Sequence, residues 1–105
     1  MKAYDLYSAK NSSLDFVRGQ VEVALKIVLE ERNSTYQGGV YYRCGDKSSE
    51  HFVLKNNLDP FDGDVAEQAF PNSSVLFYVN ATERSSELFD KLENDFVLLR
   101  HEDFE

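Results

Sequence analysis

The sequence predicts a single α+β domain, residues 1–105, in which two helices pack on a mostly antiparallel sheet in the order β-α-β-β-β-β-α-β. The chain has 105 residues, enough to bury a hydrophobic core without disulfides or metal. Its hydrophobic content of 42% and aromatic content of 13% are typical of folded proteins. Several short segments of alternating polarity, typical of strands, are separated by turn-like sequences, and only two segments have helical spacing.

The first strand and the first helix are predicted near the N-terminus. Residues 3–7 alternate in polarity and place Tyr4 and Leu6 on one face of a strand. Ser12 followed by Asp15 resembles a helix-capping arrangement. Gly19 costs a helix about 1 kcal/mol relative to alanine, and we interpret it as a point of close packing on the sheet. Apolar residues then recur at three- and four-residue steps: Leu14, Val17, Val21, Leu25 and Val28.

A β-hairpin is predicted after the helix. We place the change from helix to strand near Lys26, with Ile27 and Leu29 facing the core and the second strand ending near residue 33. The motif "STYQGGVYYRC" then forms a bend at Gly38-Gly39, because adjacent glycines between strand-like segments supply the positive φ of a turn. The third strand has one inward face and one outward face: Val40, Tyr42 and Cys44 inward, Tyr41 and Arg43 outward.

The remaining strands are predicted from two further apolar runs. Residues 51–57 form a fourth strand with Phe52 and Leu54 inward, and a long connection with one helical turn near 65–69 follows. Five consecutive apolar positions at 75–79 indicate a central strand that is covered on both faces. A second helix begins after a cap at Thr82 or Ser85, and residues 95–104 form the last strand. The core side of that helix consists of Leu88 and Leu92.

The charge balance restricts the classes of partner. Nineteen acidic residues against eleven basic ones give a net charge of −8. Nucleic acids and anionic membranes are negatively charged and bind positively charged protein surfaces, so both are disfavoured as partners. The expected partner is therefore a basic protein. The competing explanation of the negative charge is that it only keeps the protein soluble. With one cysteine, an internal disulfide is impossible. The sequence shows neither a signal peptide nor an apolar run of membrane-spanning length, so we expect a cytoplasmic protein.

No catalytic, cofactor or metal motif is found. The glycines lack the following helix and lysine of a phosphate-binding loop. His51 and His101 are interpreted as ordinary surface histidines, because in "HED" neighbouring side chains alternate between faces. The acidic loop 59–67 has the wrong spacing for an EF-hand, although weak metal binding there stays open. Cys44 is interpreted as a core residue, and no G-x-S-x-G motif is present.

One surface pattern indicates protein binding. Acidic residues recur at i, i+4 and i+7 on the second helix, and more lie in the 59–67 loop. Aromatic residues in or beside turns could anchor an interface that has a charged rim. The competing interpretation is a solvated helix face with core aromatics. The candidate partner-binding residues are Tyr36, Tyr41, Arg43, Asp59, Phe61, Asp62, Asp64, Glu67, Glu83, Glu87 and Asp90.

The segments "SSLDFV", "STYQGGVYYRC", "VLFYVN" and "ERSSELFDKL", in this order in one small acidic domain, resemble the bacterial immunity proteins of polymorphic toxin systems, including contact-dependent growth inhibition. The resemblance implies a non-catalytic inhibitor that binds a basic toxin domain, typically a nuclease, in a one-to-one complex. It carries no binding residues with it. We expect a monomer or weak homodimer without cofactors. The alternatives are a nucleic-acid mimic that inhibits a DNA-binding protein, or a small ligand-binding domain or enzyme.

Overall fold

A computed structural model of the protein describes residues 2–34, 39–58 and 66–104. Its six strands form one sheet in the order β2-β3-β4-β5-β1-β6, and every neighbouring pair is antiparallel. The predicted α+β class and the order β-α-β-β-β-β-α-β are confirmed. The elements are β1 Lys2–Ala9, α1 Leu14–Leu25, β2 Glu30–Ser34, β3 Gly39–Gly45, β4 His51–Asn56, β5 Val75–Thr82, α2 Ser85–Leu92 and β6 Phe96–Phe104.

Both helices pack on the same face of the sheet, here called the helix face. Its centre is an aromatic cluster in which the Phe77 ring lies 5.7 Å from Phe52 and 5.8 Å from Phe96. Burial of such large side chains dominates the stability of a domain of this size. Cys44 is partly buried against this core, as predicted. The helices cover it with buried aliphatic side chains: Val17, Val21, Leu25, Leu88 and Leu92.

The ends of α1 follow from local hydrogen bonding and backbone conformation. Ser13 is the N-cap, and its hydroxyl accepts a hydrogen bond from the Phe16 N–H at 3.4 Å, so the predicted cap from Ser12 to Asp15 is wrong. Lys26 adopts the left-handed conformation with φ of 55°, which ends the helix where the sequence predicted. Val28 lies beyond the helix and is 80% exposed, so its assignment to the helical stripe is also wrong.

The β2–β3 hairpin confirms the predicted inward positions of Tyr42 and Cys44, but Val40, at the start of β3, is 38% exposed and does not enter the core as predicted. The two strands pair from Glu30 opposite Arg43 to Ser34 opposite Gly39. Tyr42 is buried on the helix face, where its hydroxyl donates to Asp15 Oδ1 at 2.9 Å. Gly39 has a φ of 104°, in the region that favours glycine. Gly38, the other predicted turn glycine, lies outside the described residues.

The second face of the sheet is partly covered as well. Leu76 in β5 is fully buried there, which agrees with the prediction of a central strand covered on both faces. The Asn57 amide holds segment 66–74 near this face by donating to the carbonyls of Phe70 and Ser73 at 3.0 and 2.8 Å. Residues 66–69 form bends and turns instead of the expected helical turn, and residue 65 lies outside the described residues.

Two β-bulges change which side chains reach the helix face. In the β1–β6 pair, Tyr7 lies opposite Leu98 but Leu6 lies opposite Arg100, so one residue of β6 is extra. In the β1–β5 pair an extra residue of β5 falls between Val79 and Thr82, beside Ala81, whose φ is 54°. An extra residue reverses the alternation of the side chains that follow it. Along β1 the β5 bulge falls between Ala3 and Asp5 and the β6 bulge between Leu6 and Tyr7, close to the contact of Asp5 with Ser85 at the start of α2.

Candidate functional site

The two bulges bring polar side chains together at the N-terminal end of α2. They turn Thr82 of β5 and His101 and Asp103 of β6 towards the helix face, where Asp5 of β1 already lies. Thr82, His101 and Asp103 line a cleft of about 410 Å³ together with Ser85, the first residue of α2. We call it the α2 cleft. Its rim carries Glu83, Arg84, Glu87 and Asp103. Asp5 is buried beside the cleft, in contact with Ser85 and His101.

Asp5 is the buried centre of this site. Its side chain is completely shielded from solvent. One carboxylate oxygen accepts a hydrogen bond from the Ser85 hydroxyl at 2.5 Å, and the other lies 2.5 Å from His101 Nδ1. A buried carboxylate is tolerated only where donors replace water, and these two donors do so. The interaction therefore joins β1, β6 and α2.

His101 lies between two carboxylates. In addition to the contact with Asp5, its Nε2 is 3.0 Å from Asp103 Oδ2. The hydrogen bond to Asp5, and secondarily the one to Asp103, raises the pKa of His101. With a carboxylate at each ring nitrogen, the doubly protonated ring, which donates two hydrogen bonds, is favoured over the neutral ring. The interpretation of His101 as an ordinary surface histidine is therefore wrong.

The serine, histidine and aspartate of this site do not have the geometry of a catalytic triad. In a triad the hydroxyl donates to one ring nitrogen while the carboxylate holds the other. Here the Ser85 hydroxyl donates to Asp5 and lies 3.4 Å from Nδ1, the same nitrogen that Asp5 occupies. Nε2 is held by Asp103. Neither ring nitrogen is free to act as a base towards Ser85.

The arrangement also does not resemble a metal centre. Asp5 and Asp103 contact opposite nitrogens of the His101 ring, so the three side chains do not converge on one point. Across the described ranges, no three histidine, cysteine, aspartate or glutamate side chains are placed to hold a metal ion. Most of the acidic loop 59–67 lies outside those ranges.

A bidentate ion pair fixes the other side of the α2 cleft. Arg84 contacts Glu50 through Nη2 and Nε at 2.7 and 2.9 Å. The Thr82 hydroxyl also donates to Glu50, at 2.7 Å, and the hydrogen bonds from Arg84 and Thr82 lower the pKa of this carboxyl. Of the two predicted cap residues, Thr82 accepts a hydrogen bond from the Arg84 N–H, whereas Ser85 is already inside the helix.

The candidate partner-binding residues divide between the two faces of the sheet. Glu83 and Glu87 line the α2 cleft, and Asp90 is exposed further along α2. Glu83 precedes the helix, so the predicted stripe does not lie entirely on α2. Tyr41 and Arg43 instead line a groove on the second face. Five of the candidates lie outside the described residues: Tyr36, Asp59, Phe61, Asp62 and Asp64.

Glu67 contributes to the fold instead of forming part of an open acidic loop. It accepts a hydrogen bond from the Tyr78 hydroxyl at 2.7 Å and forms an ion pair with Arg100 at 3.6 Å. Its backbone N–H donates to the Asn57 side chain at 2.8 Å. Burial, and then the contact with Glu67, raises the pKa of Tyr78. Glu67 therefore lies on the second face of the sheet, away from Glu83 and Glu87 at the α2 cleft.

Comparison with known proteins adds no family to this description. In the part of the chain that the structure describes, no helix has the length and apolar character needed to cross a membrane. The chain matches no protein-family model, and no curated protein or solved structure shows significant similarity to it.

Proposed function

We propose that this protein is a non-catalytic immunity protein that neutralises a basic bacterial toxin, a nuclease domain, by binding it in a one-to-one complex through the α2 cleft. The observation that carries this proposal is the set of exposed carboxylates at the cleft rim, from Glu83, Glu87 and Asp103, in a chain of net charge −8. A cleft with excess negative charge attracts the Lys and Arg side chains of a partner.

The basic side chains around the cleft compensate only part of this negative charge. Arg84 contacts Glu50 and also Glu87, the latter through Nη1 at 3.1 Å, and His101 contacts both Asp5 and Asp103. Two basic side chains therefore face five carboxylates, the fifth being that of Glu83 at the rim. Two planar carboxylate oxygens match the fork of an arginine guanidinium, so arginine is the side chain that fits this rim best.

A nuclease is the basic partner that this arrangement suits. Such an enzyme needs positive charge to hold the phosphates of its substrate. An acidic protein that occupies the same positive field excludes the nucleic acid without carrying out any reaction. The blocked nitrogens of His101 agree with binding in place of catalysis at this cleft.

Nucleic-acid mimicry is less well supported. A mimic needs carboxylates in two regular rows, as phosphates lie along a duplex. Here Glu83 and Glu87 lie at the α2 cleft, whereas Glu67 packs against Tyr78 and Arg100 on the second face of the sheet. Recognition of one basic protein surface therefore explains the arrangement better.

Co-expression tests the proposal directly. The toxin domain encoded beside this gene is expressed with and without the protein, and survival of the cells is measured. Wild-type protein should restore growth and form a one-to-one complex with the purified toxin. Continued killing in the presence of well-folded protein would refute the proposed function.

Charge reversal then tests the role of the α2 cleft. The double variant Glu83→Lys/Glu87→Lys should associate with the toxin about tenfold more slowly at low salt, with a smaller difference at high salt, because steering is screened by ions. The matched control is Glu30→Lys/Glu102→Lys, which makes the same change of net charge at exposed positions on the second face of the sheet, away from α2. Equal slowing by both variants would show that only net charge matters, and would remove the cleft from the interface.

A further inference from the structure

The outward side of α1 carries large apolar side chains that the fold does not bury. Phe16 is 56% exposed and Val23, two turns further on, is 80% exposed. They lie on either side of Gly19 along a groove of about 590 Å³, here called the α1 groove. Single exposed apolar residues are ordinary, but a groove with apolar walls on a small acidic domain is typical of an interaction site.

Gly19 has no role in packing within the described fold. A glycine inside a helix is unfavourable, because it has the lowest helix propensity of any residue except proline. Such a glycine is usually explained by a neighbour that leaves no space for a side chain. A Cβ added at Gly19 would meet nothing within 4 Å, so our interpretation of this glycine as close packing on the sheet is wrong. The absence of a side chain at Gly19 leaves this part of the α1 groove open.

The polar groups of the groove indicate the chemistry of its occupant. Asp15 and Asp95 lie at its rim. Gln20 also lines the groove, and its Oε1 is shielded from solvent without a hydrogen-bond partner among residues 2–34, 39–58 and 66–104. An acceptor in that state is stabilised by any N–H group that reaches it. Two carboxylates and a free acceptor favour a partner that brings donors and positive charge.

We infer that the α1 groove anchors the basic partner: an apolar side chain of that partner packs over Gly19 between Phe16 and Val23, and adjacent Lys or Arg side chains lie against Asp15 and Asp95. The inference rests on the proposed function and adds an apolar anchor to its acidic cleft. Central apolar contacts inside a charged rim are the usual arrangement of tight interfaces. A second copy of this chain fits less well, because it also has a net charge of −8 and would bring further carboxylates to the rim.

Gly19→Gln separates docking from folding. Because the space around Gly19 is open, the new side chain should be accommodated, and the better helix former should raise Tm by about 4 °C. The same side chain fills the groove, so Kd for the purified, catalytically inactive toxin domain should rise at least about tenfold, mainly through faster dissociation. Phe16→Ser, which removes one wall, should weaken binding by a similar factor.

The matched control is Val28→Ser, because Val28 is as exposed as Val23 but lies outside the groove. Its Kd should stay within about twofold of wild type. If Gly19→Gln and Phe16→Ser bind the toxin as tightly as wild type, and wild-type protein still protects cells, the inference about the α1 groove is overturned while the proposed function is retained. Failure of wild-type protein to bind the toxin overturns both. A dimer that Gly19→Gln dissociates without any effect on toxin binding assigns the groove to a second copy, and also overturns the inference.

Discussion

Folding stability should depend on pH through His101. The hydrogen bonds from its ring to Asp5, and secondarily to Asp103, raise the pKa of His101 in the folded protein, whereas in the unfolded chain it is near 6.5. The folded state therefore holds the proton more tightly. The resulting stabilisation is fully present below about pH 6.5 and is lost as the pH rises through the folded-state pKa. Alkaline pH should weaken the contact between β1, β6 and α2.

The size of this effect follows from the burial of the partners. A hydrogen bond to a charged group contributes about 1.5–3 kcal/mol. The Asp5 side chain is fully shielded, but that of His101 is 39% exposed, so solvent screens part of the interaction. The second partner, Asp103, is exposed, and a pair of that kind contributes about 0.2–1 kcal/mol. After this discount we expect a loss of about 1 kcal/mol in the free energy of unfolding between pH 6 and pH 9.

Urea unfolding at several pH values measures this loss. The free energies of wild type and His101→Gln should differ most at pH 6 and converge towards pH 9. Asp5→Asn keeps the shape of the side chain but removes its charge, so its difference from wild type should shrink with rising pH in the same way. His51→Gln is the control, because His51, the first residue of β4, contacts the Ser49 carbonyl through Nδ1, and its ring forms no ion pair with a carboxylate of the described residues. If the difference in free energy of unfolding between wild type and His101→Gln stays constant or widens as the pH rises, the proposed stabilisation by protonated His101 is refuted.

Two further predictions concern backbone conformation. Lys26→Gly should raise the free energy of unfolding in urea by about 0.5–1 kcal/mol, because glycine removes the strain of the left-handed conformation at φ of 55°. The greater freedom of glycine in the unfolded chain offsets only part of this gain. A lower free energy of unfolding would contradict the prediction. Gly45→Ala should cost about 3 kcal/mol or more, because the added Cβ meets the Glu50 carbonyl and lies 2.9 Å from His51 Cα. At Gly39 the φ is 104° but an added Cβ meets nothing within 4 Å, so Gly39→Ala should lower the free energy of unfolding by only about 1 kcal/mol. Equal losses of stability in Gly39→Ala and Gly45→Ala would show that the contacts with Glu50 and His51 do not cause the larger cost at Gly45.

The periodicity of the sequence predicted the fold because burial on this sheet follows simple alternation over most of its length. The five apolar positions at 75–79 correctly indicated an interior strand. Ile27 and Leu29 face the core as expected, although they precede β2. Val28 was misassigned because helical spacing continues past the residue where Lys26 ends the helix.

The site could not be predicted in the same way, because it depends on single extra residues in two strands. Without the bulge in β6, strict alternation from Phe96 and Leu98 would put Arg100 on the helix face and His101 on the other. The run Val97-Leu98-Leu99 interrupts alternation and was the available signal. Nothing in local sequence indicates that Asp5 pairs opposite His101, which is 96 residues away.

The two proposed contact areas are expected to act on different steps of binding. The charged rim of the α2 cleft should affect the rate of encounter, whereas the apolar side chains of the α1 groove should affect the rate of dissociation. α2 has eight residues, so it spans about 12 Å between the cleft at its start and Asp95 just beyond its end. That distance lies well within one interface of ordinary size, which buries about 800 Å² on each partner. A single partner lying along α2 can therefore contact both areas, whereas neither area alone provides both the attraction and the anchoring that a tight inhibitor needs.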